Sequence, residues 1–331
     1  MQIPQSLTYV KQHYSGRPLV QAIQSSQQQQ CLGLLAVMAT VLVWSAYFIS
    51  LRSSALSPLS LLELSLFRYV IPGLLLSPLL IKRWQRIRQV PWFYLAGMVI
   101  GAGLPFFLGS AVAMGFAPVA HGSTLVPGVA PLFVTAIAVL VYKQPFESFK
   151  KLGLSAIGVG VILLLASSWQ QVNSQQTFGQ LIFLVASFLW AVFTICARQS
   201  GLKPLETAAV VTVPNAAMLL IYLISFGSHT WGFTQLPWQA LAAQMLVQGL
   251  AVGLLASFCY GYAITRLGAE LSSALGSLTP VFAAMFAYWL FAESLDLLTI
   301  IGMISTVLGV IAASGWFKKP VQTISLSRLK E

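Results

Sequence analysis

Residues 31–50 read CLGLLAVMATVLVWSAYFIS, twenty residues without one charged side chain. Wound as an α-helix at 1.5 Å per residue, such a run is about 30 Å long, the thickness of a bilayer's hydrocarbon core. Outward from it the pattern repeats. Apolar blocks of similar length follow at 59–81, 92–115, 119–142 and 152–169, then at 178–197, 205–226, 238–264, 271–291 and 297–317. The breaks between them carry charge, proline or glutamine. Of the whole chain 57% is hydrophobic and 8% charged, against about 25% charged in soluble domains. The sequence therefore predicts an all-α integral membrane protein with ten transmembrane helices.

The net charge of +11 would suggest nucleic acid in a soluble protein, but its location argues otherwise. If the N-terminus is cytoplasmic, Lys11, Arg17, Lys82, Arg83, Arg86, Arg88, Lys143, Lys150, Lys151, Arg198, Lys203, Arg266, Lys318, Lys319, Arg328 and Lys330 share one side. Arg52 falls outside and Arg68 lies within a span. This asymmetry predicts that both termini are cytoplasmic in an inner (plasma) membrane, with lipid rather than nucleic acid as the partner of the surface. Trp84, Trp92, Trp169, Trp231, Trp238 and Trp316 lie near span ends, where an interfacial aromatic belt belongs. Cys31, Cys196 and Cys259 are too scattered for a metal site or disulfide framework. Residues 1–30, with Gln27 to Gln30, read as a polar cytoplasmic tail with no signal peptide, and 318–331 as a basic one.

The spans are not independent. Displacing the second half by 146 residues lays Gly33 on Gly179, Trp44 on Trp190, Arg52 on Arg198 and Pro58 on Pro204. A displacement of 149 lays Pro131-Leu-Phe133 on Pro280-Val-Phe282, Gly153 on Gly302 and Gly160-Val-Ile162 on Gly309-Val-Ile311. Two five-helix repeats are expected, at 31–169 and 170–317. Five is odd, so the second repeat enters the bilayer from the opposite side. Inverted repeats of this kind are a common architecture of secondary transporters.

At these residues the chain resembles the drug/metabolite transporter superfamily, in particular ten-span permeases built from two EamA-type halves. The match rests on Trp44, on Leu66-Phe-Arg-Tyr-Val70, and on Thr279-Pro-Val-Phe282 followed by Glu293 and the Gly302/Gly309 pair. The first half departs from the pattern at Gln144, where the repeat leads one to expect a glutamate. The resemblance implies export of small organic metabolites, often amino acids.

Few ionisable residues lie at depth, and each is a candidate by default because a charge in hydrocarbon costs at least ~2.5 kcal/mol. Arg68 either holds a substrate carboxylate or anchors to carbonyls or headgroups. Glu63, five residues earlier, points to a different helix face and reads as structural. His121 either couples protons or satisfies a local hydrogen bond. Its counterpart Glu270 reads as a cytoplasmic ion pair with Arg266. Pro127 and Pro131, and their counterparts Gly276 and Pro280, should interrupt helices at depth and so point to the site, unless they are packing kinks. Trp44, Trp190 and Tyr260, with Tyr262, are candidates for a cavity wall. The third span, with Gly97, Gly101, Gly103, Pro105 and Gly109, is breakable, and Gly249, Gly253 and Gly261 echo it.

No HExxH, GxSxG or deep carboxylate pair is present, so an intramembrane enzyme lacks its parts and no cofactor or metal is expected. Without a GxxxxGK[ST] loop the energy must come from a gradient, by proton coupling or by exchange. The expected function is a secondary transporter that moves a neutral, zwitterionic or carboxylate-bearing metabolite by alternating access, outward. A channel or scaffold is the alternative. The sequence does not specify the oligomeric state.

Overall fold

The computed structural model describes residues 17–145, 148, 150–170, 174–226 and 230–315, with backbone alone for 17–28, 170, 269 and 270. His13, His229, Trp316, the C-terminal tail and the Glu270 side chain lie outside the described residues. Ten helical segments there are long and apolar enough to cross a membrane: Gln29–Ala55, Leu61–Ile87, Trp92–Ala113, Val119–Leu140, Lys150–Trp169, Ser174–Ser200, Pro204–Ser225, Trp238–Leu267, Leu271–Phe291 and Leu297–Ser314. They are called the first to tenth spans below. Residues 17–28, ahead of the first span, are helical and continuous with it in one helix, Arg17–Ala55, as suits a run rich in glutamine, a good helix former.

The connecting turns are short, so successive spans run in opposite directions. One end of the bundle carries the loops with Lys82, Arg83, Arg86, Arg88, Lys143, Lys150, Lys151, Arg198, Lys203 and Arg266 and is called the basic end. At the far end lie Arg52, Glu63, Glu293 and Asp296. Five crossings bring the chain to the far end before its second unit begins, so the two units are inverted relative to each other.

Packing obeys this pseudo-twofold relation. The second span packs on the seventh, the fourth on the ninth and the fifth on the tenth, each on its own counterpart, while the first packs on the eighth as the sixth packs on the third. Helix ends repeat as well. The fourth span closes on Lys143 and the ninth on Ala292, both left-handed, at φ 53° and 54°. The next N–H then reaches back six residues in each case, Gln144 N to Ala138 O at 3.0 Å and Glu293 N to Ala287 O at 3.5 Å. At the starts of the second and seventh spans, Glu63 and Glu206 turn back on the residue before the helix, accepting from Ser60 N at 2.7 Å and Lys203 N at 2.9 Å. Each carboxylate also ties down a loop of the other unit: Glu63 accepts from Phe233 N at 2.7 Å, and Glu206 lies 3.7 Å from both Arg83 and Arg86.

Three spans are irregular. The third is two helices, Trp92–Gly101 and Leu104–Ala113, and the backbone groups released at the break meet one side chain of the seventh span. Asn215 accepts from Leu104 N at 2.9 Å and donates to Val99 O at 3.3 Å. In hydrocarbon such groups need a protein partner, and this one supplies both. The ninth span breaks between Ala269–Gly276 and Thr279–Phe291, where Ser45 of the first span donates to Thr279 O at 3.1 Å. The eighth is π-helical over Met245–Leu255. Pro127 and Pro131, by contrast, do not interrupt the fourth span, which is one helix over Val119–Leu140. A proline deletes a single N–H, and the ladder on either side holds.

The tightest contact joins the fifth and tenth spans. A Cβ on Gly160 would lie 2.6 Å from Gly302 O, and one on Gly302 2.9 Å from Gly160 O, so the backbones touch as in small-residue membrane interfaces. Gly158, on the same helix, faces open space. Gly160→Val should therefore cost on the order of 1–3 kcal/mol by overpacking, seen as a lowered melting temperature in detergent. Gly158→Val should leave the melting temperature unchanged.

Candidate functional site

Between the two units lies a cavity of about 560 Å³, walled by residues from all ten spans. Its lining includes Lys150, Ala197, Pro204, Ile264 and Ser314, which stand at or near the basic ends of their helices. None of the residues at the far ends takes part. The cavity thus opens toward the basic end and is blind at the other.

Eight of the nine residues singled out from the sequence line it: Trp44, Arg68, Pro127, Pro131, Trp190, Tyr260, Gly276 and Pro280. The two symmetry-related tryptophans both line the cavity, each packed on its own aromatic partners. Trp44 packs on Tyr260 with ring centroids 5.0 Å apart, and Gly276 lies against both rings. Trp190 packs on Phe106 at 5.4 Å and Phe193 at 4.9 Å. The wall is mostly apolar, with hydroxyls from Thr135, Thr194, Thr207, Thr212, Ser257, Ser273 and Ser277.

Arg68 sits at the blind end. Its guanidinium lies 5.9 Å from the Tyr47 ring centroid and 5.7 Å from that of Tyr69, a cation held by two π-faces. One terminal nitrogen makes a long 3.4 Å contact to Gln248 O. Its Nε has no partner, and the buried Tyr47 hydroxyl and Gln248 Oε1 are likewise unpaired. Arg68 takes no part in the ion pairs Arg52–Glu293, Arg83–Glu206 and Arg86–Glu206, and no carboxylate among the described residues neutralises it. A half-buried cation with a free donor and no counter-ion is a ready acceptor of an anionic group.

His121 is the exception. It is buried in the far end, where Gln180 Nε2 donates to its Nδ1 at 2.7 Å while also donating to Leu164 O at 2.6 Å. The second bond fixes which way the amide faces, so Nδ1 must accept and Nε2 carries the proton of the neutral ring. That Nε2 lies 3.0 Å from Thr299 Oγ1, which in turn donates to Asp296 at 2.7 Å. Burial pushes the Asp296 carboxyl up, but the hydrogen bonds from the Thr299 hydroxyl and backbone outweigh it and hold the group below its ordinary value. His121 therefore pins the fourth, sixth and tenth spans together and shares no wall with the cavity, so its placement among site residues is corrected. The reason is that its partners come from other spans.

Arg52 lies at the far end, in the last turn of the first helix. There it meets Glu293 at 2.6 Å and donates to Met114 O at 2.9 Å, while Glu293 accepts from Val119 N at 2.9 Å. Sequence reading also passed over the buried amides of the eighth span. Gln244 Oε1 accepts from Ser50 Oγ, and Gln248 donates to the same oxygen at 2.9 Å. Two glutamines four residues apart in an otherwise apolar block were the available signal.

The EamA-like transporter family profile matches this chain twice, over residues 31–166 and 177–315. The chain belongs to the EamA-like transporter family. Its relatives include an "Uncharacterized transporter" of Archaeoglobus fulgidus, 25% identical over 83% of this chain and 95% of the relative. Another is the "Uncharacterized transporter YoaV" of Bacillus subtilis, 21% identical over 84% and 94%. A solved structure described only as "Crystal structure of protein" shares the fold, with a TM-score of 0.58 at 17% identity over 85% of this chain and 96% of the other. The molecule is thus a multi-pass membrane transporter and not an enzyme.

Within this EamA-type frame, His121 should matter for stability alone. His121→Leu removes the bond from Gln180 Nε2 to Nδ1 and the contact of Nε2 with Thr299 Oγ1, while the bonds of Gln180 to Leu164 O and of Thr299 to Asp296 stay; the loss, about 0.5–1.5 kcal/mol per bond, should lower the melting temperature in detergent. His121→Asn, which keeps polar atoms at the site, should recover part of that loss, and both variants should transport at rates that follow the amount of folded protein.

Proposed function

We propose that this protein is a secondary transporter that carries a small organic solute bearing a carboxylate, an amino acid or a similar metabolite, outward through the membrane by alternating access. The observation that carries the reading is Arg68, a cation without a counter-ion at the blind end of a cavity that opens toward the basic end. A carboxylate there gains a charge-assisted hydrogen bond, worth about 1.5–3 kcal/mol. The aromatic and hydroxyl wall suits the remainder of a neutral or zwitterionic molecule. A polycation finds no carboxylate in that wall.

Orientation follows from charge. The basic end faces the cytoplasm of a cell whose inner (plasma) membrane holds the protein, and both termini lie there. The cavity then opens to the cytoplasm, the loading side for export. Inverted five-helix units meeting at a cavity are the arrangement in which rocking one against the other moves access from face to face. Among the described residues the cavity lining holds no histidine, aspartate or glutamate, which favours exchange of one solute for another over a proton relay through His121.

The test is counterflow of labelled amino acids and other small carboxylates into preloaded liposomes. Arg68→Ala should lower uptake about 10- to 100-fold, the equivalent of the charge-assisted bond, and Arg68→Lys should restore only part of it because an ammonium cannot form the forked contact. Uptake unchanged in Arg68→Ala, or organic cations carried in place of carboxylates, would overturn the proposal.

A further inference from the structure

The blind end of the cavity is closed by a small number of contacts, and the pseudo-twofold axis shows what should stand at the other end. At the far end the last turn of the first span brings Arg52 to Glu293, just beyond the ninth, at 2.6 Å. The same two side chains bind the turn between the third and fourth spans: Arg52 donates to Met114 O and Glu293 accepts from Val119 N. One ion pair therefore ties three segments from both units across the mouth. The pair is largely withdrawn from solvent, with side-chain exposures of 20% and 10%.

The axis carries the first span onto the sixth and the ninth onto the fourth. Trp44 and Trp190, which both line the cavity, set the first correspondence, and at that displacement Arg52 falls on Arg198. The left-handed residues Lys143 and Ala292, with the equivalent reach-back bonds that follow them, set the second, and Glu293 falls on Gln144. Closing the basic end by the symmetry-related movement would bring Arg198 to Gln144. An amide cannot neutralise a guanidinium. Both residues are exposed where the cavity is open.

We propose that Arg52–Glu293 is the latch of the far mouth, and that the chain lacks the matching latch at the basic mouth because Gln144 replaces the carboxylate. The two access states are then unequal by construction: the one closed at the far end keeps an ion pair that its mirror state cannot form. The protein rests open to the basic end. Solute must supply part of the free energy that opens the far mouth, so the far-open state is sparsely populated without it. The inference rests on the alternating-access reading above.

The experiment uses the full chain in lipid nanodiscs, with Cys31, Cys196 and Cys259 replaced by alanine and a single reporter cysteine reacted with a water-soluble maleimide. Ala117→Cys, buried beside the latch at the far mouth, reports opening there, and Thr194→Cys, exposed on the cavity wall, reports opening at the basic mouth. Glu293→Gln should speed labelling at 117 at least several-fold and slow it at 194. Gln144→Glu alters an exposed residue, so folding is spared. It should slow labelling at 194 by a similar factor, and in the Glu293→Gln background it should favour the far-open state further. Labelling rates at both reporters unmoved by Glu293→Gln and by Gln144→Glu would overturn the latch, while counterflow by the same variants would leave the transport reading standing. Shifted rates in a protein that exchanges no solute would support the latch and remove the transport reading instead.

Discussion

Hydrocarbon offers no hydrogen bonds, and that constraint organises this structure. Where a helix breaks at depth, a side chain of another span must take up the freed backbone groups or they must face a cavity. Asn215 does so at the break in the third span and Ser45 at the break in the ninth. The irregular segments are consequently turned inward, toward the interface between the two units. A cavity is possible there because the surrounding spans are held by contacts that need no bulk, such as the backbone-to-backbone meeting of Gly160 with Gly302.

The same constraint sorts the charges. Glu63 and Glu206 serve as helix starts and loop ties at opposite ends, Arg52 and Glu293 neutralise each other at the far mouth, and the remaining bases crowd the loops of one end. Arg68 stands at the blind end of the cavity wall with no carboxylate beside it among the described residues. Its cost is offset in part by the faces of Tyr47 and Tyr69, and a cation kept so deep makes chemical sense if an anionic group visits it.

Much of this was legible in the amino-acid order. A helix that crosses lipid must be apolar for about twenty residues, so the ten spans and their alternation could be read within a few residues of where they lie. The double alignment at 146 and 149 residues revealed the inverted plan, and Trp44, Trp190 and Arg68 stood out as large or charged groups at depth. What the sequence left open depended on distant partners. His121 reads equally as a proton site or as a satisfied hydrogen-bonding group until Gln180 and Thr299 are seen to close around it, and neither is near it in sequence. That Arg52 meets Glu293 is likewise invisible from either residue's neighbours. Pro127 and Pro131 read as breaks, yet a single missing N–H does not end a helix braced on both sides. The π-helical stretch of the eighth span carries no local signal at all.

The central claim is that two inverted units rock about one cavity, and distances across its two mouths test it most directly. Spin labels at Leu56 and Ser294, one in each unit beside the Arg52–Glu293 pair, span the far mouth, and labels at Tyr142 and Gln199 span the basic one, all four positions being exposed. With no solute the far pair should be close and the basic pair apart; with saturating transported solute a second population should appear in which the far pair separates and the basic pair approaches. A single unchanging distance at each mouth, in the presence of a solute that the protein demonstrably carries, would contradict the account.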